Sequence, residues 1–147
     1  MKKSIALKGR ADSGKSSTIT KLYHKLLESD NYKLQETTFI KPGWDFRATF
    51  LVRGILIGVT SKGDTYDLVI DDLGWFKIQT VDICVCACRS KDMTDKGTNS
   101  AVKEYTDDDP VYLWKTVSDS EKNFDKSNEQ DCERLFIELQ KAIENVT

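Results

Sequence analysis

This 147-residue chain has one histidine, two prolines, four cysteines and no apolar run near the roughly 20 residues that a membrane-spanning helix requires. With so little proline, 39% hydrophobic and 31% charged residues, the composition is that of a globular protein and not of a disordered or fibrous one. It also lacks any excess of positive charge. The formal net charge of -2 leaves no clear nucleic-acid footprint and no basic surface for an anionic membrane. Two lysines follow Met1, but the apolar run after them, Ile5 to Leu7, is too short for the core of a signal peptide, so a cytoplasmic protein is expected. The length suits a single folding unit spanning residues 1–147, able to bury a core without disulfide or metal staples.

The cysteines exclude more than they offer. Cys84, Cys86 and Cys88 alternate with Ile83, Val85 and Ala87, which as a strand places the thiols on one face and the aliphatic side chains on the other. Both faces are apolar, as in a strand buried on both sides. Alternate residues of one strand cannot bridge one another, and no further Cys or His cluster completes a zinc site, so the thiols read as core packing. His24, among lysines on an expected helix, reads as a solvated surface residue.

Secondary structure can be followed from the hydrophobic period. Ser4–Lys8 suggests a short buried strand. From Lys15, the residues Ile19, Leu22, Tyr23, Leu26 and Leu27 define one face of a helix. Thr37–Ile40 is a strand candidate ended by Pro42 and Gly43. Phe46, Ala48, Phe50 and Val52, then Arg53-Gly54, then Ile55, Ile57 and Val59, read as an antiparallel hairpin whose second strand enters the sheet centre. Asp82–Cys88 is the buried strand, Thr98–Tyr105 a short helix and Val111–Val117 a further strand. Ser127 and Gln130 have the spacing of a capping box, ahead of a helix face formed by Cys132, Leu135, Phe136, Leu139, Ile143 and Val146. Strands alternating with helices predict an α/β fold: a three-layer sandwich around a mainly parallel sheet with one inserted antiparallel hairpin.

The most specific signal lies at the first strand-to-helix turn. Gly9, Arg10, Ala11, Asp12, Ser13, Gly14, Lys15 and Ser16 satisfy G-x-x-x-x-G-K-[ST] without a mismatch. At ordinary residue frequencies that pattern arises by chance in well under ~1% of chains this long. Glycines allow successive amide N–H groups to converge on phosphate oxygens, and the following helix adds unpaired N–H groups and its positive dipole end. Lys15 is then placed to reach the β and γ phosphates, and the Ser16 hydroxyl to ligate Mg²⁺.

Ser4–Glu28 therefore resembles the first strand, Walker A loop and first helix of the P-loop NTPase superfamily; the remaining elements are compatible but generic. The resemblance implies a site for Mg²⁺ with ATP or GTP at the C-terminal ends of the parallel strands, with Ser17 near the α-phosphate. It also calls for a second carboxylate at a neighbouring strand end. Asp64 competes there with the pair Asp71 and Asp72, which resembles a Walker B pattern after Leu68 to Ile70. If Leu68–Asp72 were a strand, about ten residues would remain before the strand at Asp82, too few for a parallel crossover. A helix over Thr65–Gln79, with Val69, Leu73 and Phe76 on one face and Asp71 and Asp72 solvated, is the expectation, with Asp64 as metal ligand beside Ser16. Ser61-Lys62-Gly63-Asp64 and Asp71–Gly74 also match guanine-nucleotide fragments, but in reversed order along the chain.

Arg89, directly after the buried strand, is placed to stabilise charge on transferring phosphate oxygens, though a surface ion pair is an equal alternative. Lys15, Asp64 and Arg89 form the expected catalytic set. Trp44, Trp75 and Trp114 are candidates to stack on a base, Trp44 foremost, and the Arg89–Thr98 loop is either a lid or a solvated connection. The expected function is γ-phosphate hydrolysis. A small-molecule or nucleotide kinase passing that phosphate to an acceptor, with Arg47, Arg53 and Arg89 around it, and a non-catalytic module that holds nucleotide as a structural or regulatory ligand are the alternatives; a protein partner or homo-oligomer is compatible with each.

Overall fold

The computed structural model describes residues 1–39, 45–117 and 124–147, so Trp44 lies outside the described residues. Its elements run β1 (Lys3–Lys8), α1 (Lys15–Glu28), β2 (Lys33–Phe39), β3 (Phe46–Val52), β4 (Ile55–Thr60), α2 (Tyr66–Ile78), β5 (Ile83–Cys88), α3 (Thr98–Glu104), β6 (Val111–Trp114) and α4 (Phe124–Val146). The strands form one sheet in the order β2-β3-β4-β5-β1-β6. β1 pairs in parallel with both β5 and β6, and β4 in parallel with β5, whereas β2-β3 and β3-β4 are antiparallel. The fold is thus α/β with a mixed, mostly parallel sheet. The antiparallel part extends one strand beyond the expected hairpin.

The alternation along the strands sorts the core into two layers. Ile5, Leu7, Phe46, Ala48, Phe50, Ile57, Val59, Ile83, Val85 and Ala87 pack on the face covered by α1 and α4. Ala6, Cys84, Cys86 and Cys88 pack on the opposite face with Val69, Leu73 and Phe76 of α2 and Ala101 and Val102 of α3. All six β5 residues are buried and the four cysteines are free thiols, as the two-faced pattern predicts. Burial from water pushes the Cys88 thiol up to about 12, which keeps it neutral and unreactive. His24 is exposed.

Arg53 and Gly54 turn the hairpin at positive φ, 50° and 77°, the two left-handed positions of a tight turn. This turn joins the end of β3 to the start of β4, so it sits at the edge of the sheet where the parallel strands begin. Gly9 leaves β1 at the edge where they end. Arg53 is therefore remote from the glycine-rich loop. A cavity of about 500 Å³, lined in part by Tyr32, Arg53 and Gln140, shares that remote edge.

The helical crossover is α2, capped by the Thr65 hydroxyl accepting from the Leu68 N–H at 3.3 Å. Asp71 is solvated, its side chain 70% exposed, but Asp72 is not: it is fully buried and accepts from Lys62 Nζ at 3.1 Å, Arg47 Nη1 at 3.3 Å and the Thr60 hydroxyl at 2.5 Å. Lys62 is itself buried, because the chain leaving β4 turns its side chain inward, and the buried charge needs a partner.

Three boundaries and one buried position differ from the sequence period. β2 begins at Lys33 because an edge strand satisfies its backbone on one side and tolerates the exposed Leu34. Leu27 is 42% exposed, since at i+8 from Ile19 it has rotated off the buried stripe. β6 stops at Trp114, where Lys115 turns into the interior. Ser127 lies within α4, its hydroxyl donating to the Phe124 carbonyl at 3.1 Å, so it is no cap. No helix among the described residues is long and apolar enough to cross a membrane.

Candidate functional site

The loop from Gly9 to Gly14 leaves the end of β1, in the middle of the parallel part of the sheet, and enters α1. Its first amide, on Gly9, donates to the Cys88 carbonyl of β5 at 3.1 Å, which anchors the loop to the neighbouring strand. The backbone then reverses through left-handed positions, Asp12 at φ 56° and Gly14 at φ 95°. Gly14 cannot carry a side chain: besides its φ, a Cβ there would sit 2.6 Å from Asn128 Oδ1. Arg10, Ala11, Asp12 and Ser17 are exposed around the rim, and the Ser13 hydroxyl donates to the Arg10 carbonyl at 2.7 Å.

The start of α1 differs from that of α2. Thr65 caps α2 and Asp67 adds an acid to its first turn, whereas Gly14 offers α1 no side-chain cap and the first turn of α1 holds no acidic residue. The leading N–H groups of α1 thus remain available beside the loop, with no carboxylate of their own to satisfy the positive helix end.

Lys15 fills that space. Its ammonium donates to the carbonyls of Gly9 at 2.5 Å and Arg10 at 3.0 Å, and the residue is only 6% exposed. Burial is the chief reason its pKa lies below the ordinary lysine value; the Asp64 carboxylate opposes that shift and the Arg89 guanidinium adds to it. Asp64 and Arg89 are therefore close enough to act electrostatically on Lys15. They also face each other, Arg89 Nη1 lying 3.8 Å from Asp64 Oδ1, with side chains 41% and 69% exposed. The sequence-derived set of Lys15, Asp64 and Arg89 thus shares one rim.

One neighbour of the loop escaped the sequence reading. Asp45, half-buried at the entry to β3, lies with Oδ1 3.5 Å from the Ser16 hydroxyl and 3.1 Å from the Ser61 hydroxyl. Ser61 is fixed in turn: it accepts from the Phe46 N–H at 3.0 Å, and its own N–H donates to the Phe46 carbonyl at 3.1 Å. Three hard oxygen donors from α1, β3 and the end of β4 thus converge. Among the described residues no group of three His, Cys, Asp or Glu side chains is arranged so that it could hold a metal ion. Mg²⁺ does not need one, since it commonly takes one or two protein oxygens and completes its shell with phosphate and water.

The opposite flank of the loop rests on a buried ion pair. Lys115, 1% exposed at the side chain, donates to Asp131 of α4 at 2.9 Å, and its backbone N–H donates to the Lys8 carbonyl at 2.8 Å. Asp131 also accepts from the Thr116 N–H at 2.8 Å, the Thr116 hydroxyl at 2.6 Å and Arg134 Nη1 at 2.9 Å. The Thr18 hydroxyl, 2.8 Å from the Gly14 carbonyl and 3.2 Å from Asn128 Oδ1, links the first turn of α1 to α4.

Several other candidates are committed elsewhere. Lys62 and Asp72, one from each guanine-like fragment, bind each other inside the fold. Trp75 stacks under the Arg47 guanidinium at 4.4 Å, and the exposed Trp114 has Lys8 Nζ 5.2 Å from its ring. The loop after Arg89 is pinned by Asp92, which accepts from the backbone and side chains of Asn99 and Ser100 at the start of α3. No family model, curated protein or solved structure matches this chain.

Proposed function

We propose that this chain binds a magnesium-complexed nucleoside triphosphate, ATP in the first instance, on the Gly9–Ser16 loop and hydrolyses its γ-phosphate. The observation that carries the reading is the buried Lys15 ammonium, bent over carbonyls of its own loop at the uncapped start of α1. A polyphosphate would replace those two carbonyl contacts with full anionic charge, in a place where no acidic first-turn residue competes for the helix end.

In this reading Lys15 moves from the Gly9 and Arg10 carbonyls onto the β and γ phosphate oxygens, and the amides of Arg10 to Ser16 hold the rest of the chain of phosphates, while the Gly9 amide stays on the Cys88 carbonyl. Mg²⁺ would supply positive charge against the charge that develops on the phosphate oxygens. Ser16 and a nearby carboxylate would hold it. Arg89, partly exposed and only loosely paired, is free to turn from Asp64 toward the γ-phosphate and stabilise the transferring oxygens, while Asp64 orders the attacking water.

A kinase needs cations around its acceptor. Arg53 stands at the other edge of the sheet and Arg47 is tied to Asp71 and Asp72, so of those three only Arg89 is left at this rim. Hydrolysis is accordingly the expected reaction. Incubation with γ-labelled ATP or GTP and Mg²⁺, together with a panel of nucleosides and sugars, should release label as free phosphate; label on an acceptor would establish a kinase, and no release would leave a binding module.

Proton linkage gives an independent check on Lys15. Its depressed pKa means that the free protein loses this charge at a lower pH than ordinary lysine does, whereas phosphate contacts would raise the pKa again. Between those two values binding takes up a proton, and affinity falls as pH rises, by at most about tenfold per unit. Calorimetry at alkaline pH in buffers of different ionisation enthalpy should detect that uptake in the wild type and not in Lys15→Met.

A further inference from the structure

We infer that Asp45, held in place by Ser61, is the carboxylate that completes the metal site beside Ser16, and that Asp64 is not a metal ligand. The inference rests on the nucleotide-binding reading above. Three observations support it. Asp45 Oδ1 is the carboxylate oxygen within reach of the Ser16 hydroxyl, at 3.5 Å, whereas the ion-pair partner of Asp64 is Arg89 at 3.8 Å. Asp45 is half-buried and hydrogen-bonded by Ser61, so its rotamer is set before a ligand arrives; Asp64 is largely exposed and has no such brace. Ser61 in turn is locked to Phe46 through both its hydroxyl and its N–H.

The donor set suits the ion. One carboxylate and two hydroxyls are hard oxygen ligands, and a separation of 3.1–3.5 Å between Asp45 and the two hydroxyls allows a small dication to draw two of them into its shell while the third orients from outside. The position is unusual for its chemistry: Asp45 opens an antiparallel strand, whereas the resemblance to P-loop NTPases directs attention to acids at the ends of parallel ones. Placing the carboxylate immediately before β3 and the serine on α1 also makes the ion a clasp between two residues that are 29 positions apart in sequence.

The test uses Mn²⁺ as the probe, with a nonhydrolysable ATP analogue. Affinity for the analogue is measured in EDTA and with metal, and free Mn²⁺ is counted by electron paramagnetic resonance, for the wild type, Asp45→Asn, Asp64→Asn and the exposed control Asp71→Asn. The expected result is a tenfold or greater rise in the Mn²⁺ dissociation constant for Asp45→Asn, with unchanged affinity in EDTA, while Asp64→Asn and Asp71→Asn keep the wild-type Mn²⁺ constant. A wild-type metal constant in Asp45→Asn, or a loss confined to Asp64→Asn, overturns the assignment while leaving nucleotide binding intact. Failure of the wild type to bind the analogue under either condition instead removes the nucleotide reading, and this inference with it. Should Asp45→Asn melt below the assay temperature, Ser61→Ala replaces it: a severalfold weaker metal constant is expected, and a wild-type constant overturns the proposal.

Discussion

Replacing Lys15 with alanine is expected to weaken triphosphate binding by about two to four orders of magnitude while the fold survives. The ammonium can make two charge-assisted hydrogen bonds to phosphate, each worth roughly 1.5–3 kcal/mol, and every 1.4 kcal/mol is about a factor of ten in affinity. Removing it also takes a donor from the Gly9 and Arg10 carbonyls, the first buried and the second part-buried, at a cost of roughly 1–3 kcal/mol that a fold of this size survives. The residue lies in the first turn of α1, and the layer below is built from Ile19, Leu22 and Leu26, so the core loses little. Calorimetry with ATP and GTP in Mg²⁺, alongside a thermal melt, is the measurement. Equal affinity in wild type and variant would remove the site from this loop. Lys15→Met, which keeps the apolar stem, should match the alanine variant if charge is what matters.

What sequence could and could not reveal follows from the range of each interaction. The strand, turn and helix around Gly9–Ser16 were legible because their requirements are local: a glycine at position 14 where φ is positive, a lysine at the helix start, a strand before and an amphipathic helix after. The thiol-bearing strand was legible because a period of two with both faces apolar has one meaning. α2 was settled by chain length, since a parallel crossover between β4 and β5 needs the residues that a strand over Leu68–Asp72 would use up. Asp45 was not legible. A single acid before a strand has no period, and its contacts with Ser16 and Ser61 span 29 and 16 residues. Asp72 shows the converse limit: its helical position suggested solvent, but Lys62, from beyond the end of β4, reaches it in the interior, and no local pattern announces a buried lysine.

The buried pair behind the loop gives the largest expected effect on stability. Asp131→Ala should destabilise the fold by roughly 3–5 kcal/mol, the usual consequence of stranding one partner of a buried ion pair, which lowers the melting temperature by about 10 to 15 °C in a chain of this size. Lys115, 1% exposed, is the group left without its counter-charge; Thr116 loses its acceptor as well, and Arg134 keeps only the Trp114 carbonyl. The pH dependence follows. Burial opposes ionisation of Asp131, but hydrogen bonds from Thr116, Lys115 and Arg134 outweigh it and hold the carboxyl below the usual aspartate value. A depressed carboxylate contributes stability that is present above the unfolded-state pKa and lost as pH falls through the folded one, so wild type and variant should converge in acid. Pairing Asp131→Ala with Lys115→Met separates charge from packing. If the stranded ammonium is the cause, the double variant regains much of the lost stability; if it melts no higher than the single one, the damage is a cavity instead. Because the Lys115 N–H is hydrogen-bonded to the Lys8 carbonyl, one residue before Gly9, the same double variant reports whether the Gly9–Gly14 loop keeps its shape once the charge beneath it is gone: on the proposed function, triphosphate affinity near that of wild type is expected.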